Sequence, residues 1–133
     1  MSAKIVLATS NKGKVVEIKN MMSGYEVVNY TDIIPPFHIE EDGDTFKDNA
    51  IIKAKAVFDA LGDDDTIVLS DDSGICVDVL GGEPGIYSAR YAGAGANDKE
   101  NLQKLVDSIK AVGCANSPAH YTAAIAIATK EGI

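Results

Sequence analysis

Three short stretches of the chain carry side chains able to do chemistry. In residues 67–74 (IVLSDDSG), an apolar run ends on two adjacent carboxylates, Asp71 and Asp72, followed by Ser73 and Gly74. In residues 7–17 (LATSNKGKVVE), another apolar run passes through Thr9, Ser10 and Asn11 to Lys12, Gly13 and Lys14. The third stretch is a second acidic pair, Glu40 and Glu41, just beyond Pro35-Pro36.

Hydroxyl and amide groups followed by lysines suit a phosphate where a turn enters a helix, because the first helical N–H groups and the positive dipole end point there. The spacing is not that of a P-loop, whose GxxxxGK[ST] pattern is absent. Ser and Asn are equally the ordinary caps of a helix, so the pattern alone leaves both readings open. For the acids, strand alternation sends Ile67, Leu69 and Asp71 one way and Val68, Ser70 and Asp72 the other. Neighbouring carboxylates on opposite faces do not chelate one ion together. Either one faces a site while the other anchors the backbone, or both are plain turn acids before Ser-Gly. A strand's carboxyl end in an open α/β sheet is where ligands bind, which favours the first reading. Carboxylates from two separate segments, one from each acidic pair, are what a magnesium ion between protein and phosphates requires. Lys53 lies in the helix after the second pair; a solvated lysine is the plain alternative there.

These groups need a frame. Residues 4–9 read as a buried strand. A polar turn, SNKGK, follows, then a helix with Val15, Ile18, Met21 and Met22 inward. Gly24 ends it, and residues 25–30 form a second strand. Pro35 and Pro36 make the next stretch loop or extended edge. Thr45 opens a long helix with Asp48 as capping-box partner; Phe46, Ala50, Ile51, Ala54, Val57, Phe58 and Leu61 form its apolar face, and Gly62 closes it. A strand at 67–69 leads into the acids. After it come a short alternating stretch and a turn-rich loop at Gly81-Gly82 and Pro84-Gly85. Asp98 caps a third helix with Leu102, Leu105, Val106 and Ile109 inward. Residues 120–129 form a last strand, and Lys130-Glu131-Gly132 starts a hairpin turn. Strands interleave with helices, so the class is α/β.

The bulk composition fits one soluble domain over 1–133: 133 residues, 46% hydrophobic and 24% charged. A formal charge of −8 argues against nucleic acid as partner. Cys76 and Cys114 are isolated and lack zinc-ligand spacing, which reads as two reduced thiols. No apolar run is long enough to span a bilayer and the N-terminus has no cleavage-like pattern, so no membrane is expected and the cytoplasm is the expected location.

Taken together, LATSNKGK, EEDGDTFKDNAIIKA and SDDSGICVDVLGGEPGIYSARYAG, with NLQKL in the next helix, resemble the inosine triphosphate pyrophosphatase family. The resemblance is collinear and covers nearly the whole chain. It implies a mixed twisted sheet flanked by helices in two lobes with a cleft. It also implies magnesium-dependent hydrolysis of non-standard purine nucleoside triphosphates (dITP, ITP, XTP) to the monophosphate and pyrophosphate. Carried onto matching positions, Thr9, Ser10, Asn11, Lys12, Gly13, Lys14 and Lys53 would hold the triphosphate and Ser73 would touch substrate. Glu41, with Glu40 as the alternative, and Asp72 would sit at the metal, and Asp72 would activate the water. Asp71 is expected to brace the turn from the opposite face. A homodimer is also implied.

The family's F-G-Y-D-P-type segment and later S-H-R motif, which grip the base, do not occur in these residues. The fold is therefore expected to be incomplete at its C-terminal side, with an exposed sheet edge favouring self-association. The alternatives are an inactive nucleotide-binding remnant, or a related pyrophosphatase for pyrimidine or modified nucleotides.

Overall fold

The computed structural model describes residues 4–9, 11–93 and 95–133. Four strands form one sheet in the order β2-β1-β3-β4. They are β1 (Lys4–Leu7), β2 (Glu26–Asn29), β3 (Ile67–Val77) and β4 (Ala119–Ala128). The helices are α1 (Lys12–Met21), α2 (Phe46–Leu61) and α3 (Asp98–Ala111). β1 pairs in parallel with both β2 and β3, with Leu7 opposite Asn29 on one side and Leu69 on the other. The chain divides into two compact units, one comprising residues 1–71 and 124–133 and the other residues 72–123.

The first unit is built by alternation. Val6 of β1, Ala8 just beyond it and Val68 of β3 point to one face, where Ala50, Ala54 and Val57 of α2 and Ala126 and Ala128 of β4 join them. Ile5 and Leu7 point the other way with Val27, against Val15, Ile18 and Met22 around α1. Central strands buried on both faces read as continuous apolar runs, which is why KIVL does not alternate.

α2 forms where the expected signals lie. The Thr45 hydroxyl accepts from Asp48 N–H at 3.0 Å, and Gly62 at φ 64° takes the left-handed cap that a side chain would resist. Just before the helix, Gly43 donates its N–H to Asn49 Oδ1 at 2.8 Å. A Cβ on Gly43 would meet Asp48 Cβ at 2.7 Å, so only glycine fits this approach.

Several sequence expectations change. Helix α1 starts at Lys12, not after Lys14, because Asn11 is its N-cap and receives Gly13 and Lys14 N–H. Met21, expected inward, is 82% exposed, whereas Met22 packs inward as expected. The strand expected over 67–69 runs on through Asp71, Asp72 and Ser73 to Val77, so no turn falls at Ser-Gly. Gly74 is needed within it for another reason: a Cβ would collide with the Gly85 carbonyl and the Ser88 hydroxyl. Tyr30 leaves the second strand to open a short 3₁₀ turn over Tyr30–Asp32. Asn97, not Asp98, caps α3, in a reciprocal box with Glu100.

The last strand ends as expected in a tight turn, with Thr129 and Gly132 exchanging N–H···O bonds of 3.0 Å in both directions. β4 is an outer strand of the sheet, and its Tyr121, Ile125 and Ile127 are exposed. Among the described residues, no helix is long and apolar enough to cross a membrane.

Candidate active site

Three segments of the first unit converge at the carboxyl end of β1. The turn after β1 is ordered by its own side chains: Thr9 Oγ1 accepts from Asn11 N–H at 3.0 Å, and Asn11 Oδ1 accepts from Gly13 N–H at 2.9 Å and Lys14 N–H at 3.3 Å. The cap reading of Asn11 therefore holds, and the same cap places Lys14 in the first turn of α1. Ser10 lies outside the described residues. Lys12 is exposed, on the wall of a cavity of about 340 Å³ shared with Thr9, Asn11 and Asn29.

Lys14 turns its ammonium onto Asp71, with Nζ 2.6 Å from Oδ2 and both side chains largely shielded. Asp71 shares parity with Ile67 and Leu69, the α1 side of the sheet, so alternation delivers it to this lysine. The role expected for Asp71, bracing a turn, is thus replaced: there is no turn, and its carboxylate is the partner of Lys14.

Lys53 comes from α2. Its side chain is only 18% exposed, its Nζ lies 3.3 Å from Glu41 Oε1, and it donates to the Asp71 carbonyl. The solvated-lysine reading does not apply. Of the two acids in the loop, Glu41 faces Lys53, whereas Glu40 is 77% exposed beside His38. A cavity of about 150 Å³ is lined by Ala8, Thr9, Tyr30, Phe37, Glu41 and Lys53. Two ammonium groups and two carboxylates therefore meet around the Thr9 turn and the end of the first unit's β3 segment. Such a cluster is charge-balanced, and its ammonium groups have the donors to pair with phosphate oxygens as they do with carboxylates.

Asp72 and Ser73 follow directly in β3 and belong to the second unit. Asp72 Oδ2 is shielded from solvent, and Ser73 Oγ lies 3.3 Å from Tyr121 Oη. Among the described residues no three His, Cys, Asp or Glu side chains gather as a ready-made metal cage. Magnesium does not need one, since it binds through one or two carboxylates together with substrate phosphates and water. Glu41, a hard oxygen donor on a cavity wall, fits that requirement.

Two participants were not legible from motifs. Asp71 stood out as one of the paired acids, but its pairing with Lys14 had no signal beyond its parity with Leu69. Asn29, whose side chain meets the Thr9 peptide, had no signal at all.

The fold and this constellation define an α/β protein with a polar, self-capped turn beside paired lysines and carboxylates. Comparison with known proteins makes the class specific: the Ham1 family model matches residues 5–133, and the chain belongs to the Ham1 family. It is 59% identical to the dITP/XTP pyrophosphatase of Nautilia profundicola, over 98% of this chain and 66% of the relative. The dITP/XTP pyrophosphatase of Sulfurimonas denitrificans is also 59% identical, over 96% and 66%. Among solved structures, the HAM1 protein of Coxiella burnetii aligns with a TM-score of 0.82 at 34% identity, covering 98% of this chain and 66% of that one. The Staphylococcus aureus Ham1 protein aligns with a TM-score of 0.79 at 39% identity, covering 96% and 64%. The chain thus spans about two thirds of the length of the relatives it matches. The family resemblance carried by LATSNKGK and SDDSGICVDVLGGEPGIYSARYAG is borne out.

Proposed function

We propose that the chain carries the triphosphate-binding and catalytic machinery of a magnesium-dependent pyrophosphatase acting on non-standard purine nucleoside triphosphates (dITP, ITP and XTP). The observation that supports it most is the meeting of Lys14, Lys53, Glu41 and Asp71 around the Thr9–Asn11 turn. A triphosphate repels nucleophiles by its own charge, so neutralisation is the first requirement. Lys14 and Lys53 meet it, while Thr9, Asn11, Lys12 and Gly13 shape the turn that receives the phosphates and Ser10 joins them as a substrate-binding residue.

In this reading Asp72 accepts a proton from water as the water oxygen bonds to the α-phosphorus. The bond between the α-phosphorus and the bridging oxygen breaks, and pyrophosphate leaves with that bond's electron pair. Ser73 contacts the substrate beside it. Glu41 and Asp72 would hold a magnesium ion, which would supply further charge neutralisation at the phosphates. The protein works on free nucleotides in the cytoplasm as a homodimer, with neither nucleic acid nor membrane as partner; the charge of −8 supports only the exclusion of nucleic acid.

The test is pyrophosphate release from dITP, XTP and a panel of pyrimidine and modified triphosphates, with magnesium and with a chelator. Magnesium-dependent release from dITP and XTP is expected. Release confined to the other nucleotides would reassign the substrate, and binding with no turnover under any condition would reduce the chain to a nucleotide-binding remnant.

A further inference from the structure

The turn that carries Thr9 and Asn11 is held from outside by one side chain. Asn29 ends β2, is 9% exposed, and stands opposite Leu7 in the parallel ladder. Beyond the strand ends its amide continues the pairing: Oδ1 accepts from Thr9 N–H at 3.3 Å and Nδ2 donates to the Thr9 carbonyl at 2.9 Å. Nδ2 also lies 2.8 Å from Thr31 Oγ1, and the Asn29 N–H is received by the Asp32 carboxylate at 3.2 Å. The amide is therefore fixed in rotation and position before it touches Thr9.

The contact propagates. Thr9 Oγ1 holds Asn11 N–H, and Asn11 Oδ1 holds the N–H groups of Gly13 and Lys14. One buried amide on β2 thus sets the frame of the first turn of α1. The primary amide on this short stem offers a donor and an acceptor, on separate atoms, to the N–H and C=O of one residue at once. A carboxylate cannot donate, and a hydroxyl would have to serve both groups from a single oxygen.

The geometry points to Asn29 as a positioning residue for polyphosphate binding: it preorganises the Thr9–Lys14 turn without touching the ligand. The inference rests on the pyrophosphatase reading of that turn. Displacing binding groups by about an ångström is enough to lose one to two powers of ten in productive binding.

The test uses the whole chain with inorganic tripolyphosphate and magnesium as probe, in calorimetry, alongside amide exchange at Thr9 and Asn11. Asn29→Ala and the strand-compatible Asn29→Thr are expected to weaken binding about tenfold and to speed exchange of the Thr9 amide. Val27→Ala, a core change on the same strand, is expected to lower Tm with affinity unchanged, which separates positioning from mere stability. If a folded Asn29 variant binds tripolyphosphate as tightly as the parent, the positioning role is overturned while the functional reading stands. If the parent itself fails to bind, the functional reading falls and takes this inference with it.

Discussion

α2 and α3 read alike in sequence, each a capped helix with an apolar stripe, yet they end in opposite circumstances. α2 buries Asn49, Ala50, Ala54 and Val57 completely, whereas α3 buries none of its residues. Leu102, expected to face inward, is 61% exposed, and Val106 is 36% exposed. The difference extends to the two units. Among the described residues, every member of the buried apolar core except Cys76 and Val77 lies in the first unit. The second unit is held more by loop hydrogen bonds, such as Ile75 N–H to Ser88 Oγ at 3.0 Å and Asn101 Nδ2 to the Ala89 carbonyl at 3.0 Å. A periodic stripe shows that a helix has a face to bury. It does not show what, within a given stretch of chain, will bury it.

The comparison can be broken at four places. The largest effect belongs to function: Asp72→Asn, nearly isosteric, is expected to lower pyrophosphate release by at least roughly a hundredfold with Tm almost unchanged. A near-normal rate would take the proton-accepting role from the second unit's carboxylate. Next is the core of the first unit. Val57→Ala, at a side chain with 0% exposure, is expected to destabilise by about 2 kcal/mol in urea titration. Smaller is Lys14→Ala, expected to raise KM about tenfold, the effect of one charge-assisted contact; Asp63→Ala, in the loop after α2, serves as control. An equal shift in both would remove Lys14 from the phosphate site. Smallest is Leu102→Ala, expected to change stability by less than about 0.5 kcal/mol. A loss as large as that of Val57→Ala would mean that α3 is covered in solution.

Some of the site was readable because its determinants are local. Asn11 before Lys12 is a cap by side-chain chemistry, and Thr45 with Gly62 brackets α2 for the same kind of reason. The extension of β3 through Gly74 was not readable. Ser-Gly after two acids has the composition of a turn, and only the close approach of Gly85 and Ser88 shows why glycine stands within a strand. The choice between Glu40 and Glu41 likewise waited on Lys53, about two turns into the following helix.

What the sequence determined alone was the order of strands and helices, the caps of α2, the α/β class and the family, since each rests on residue types and their order along the chain. Tertiary structure decided which charges meet. Lys14 and Asp71 are 57 residues apart in the chain, and Asn29 and Thr9 are 20 apart. Their contacts exist because the parallel register of β1 with β2 and β3 brings the ends of β1 and β2 beside the middle of β3, and register is a property of paired strands that no single strand contains.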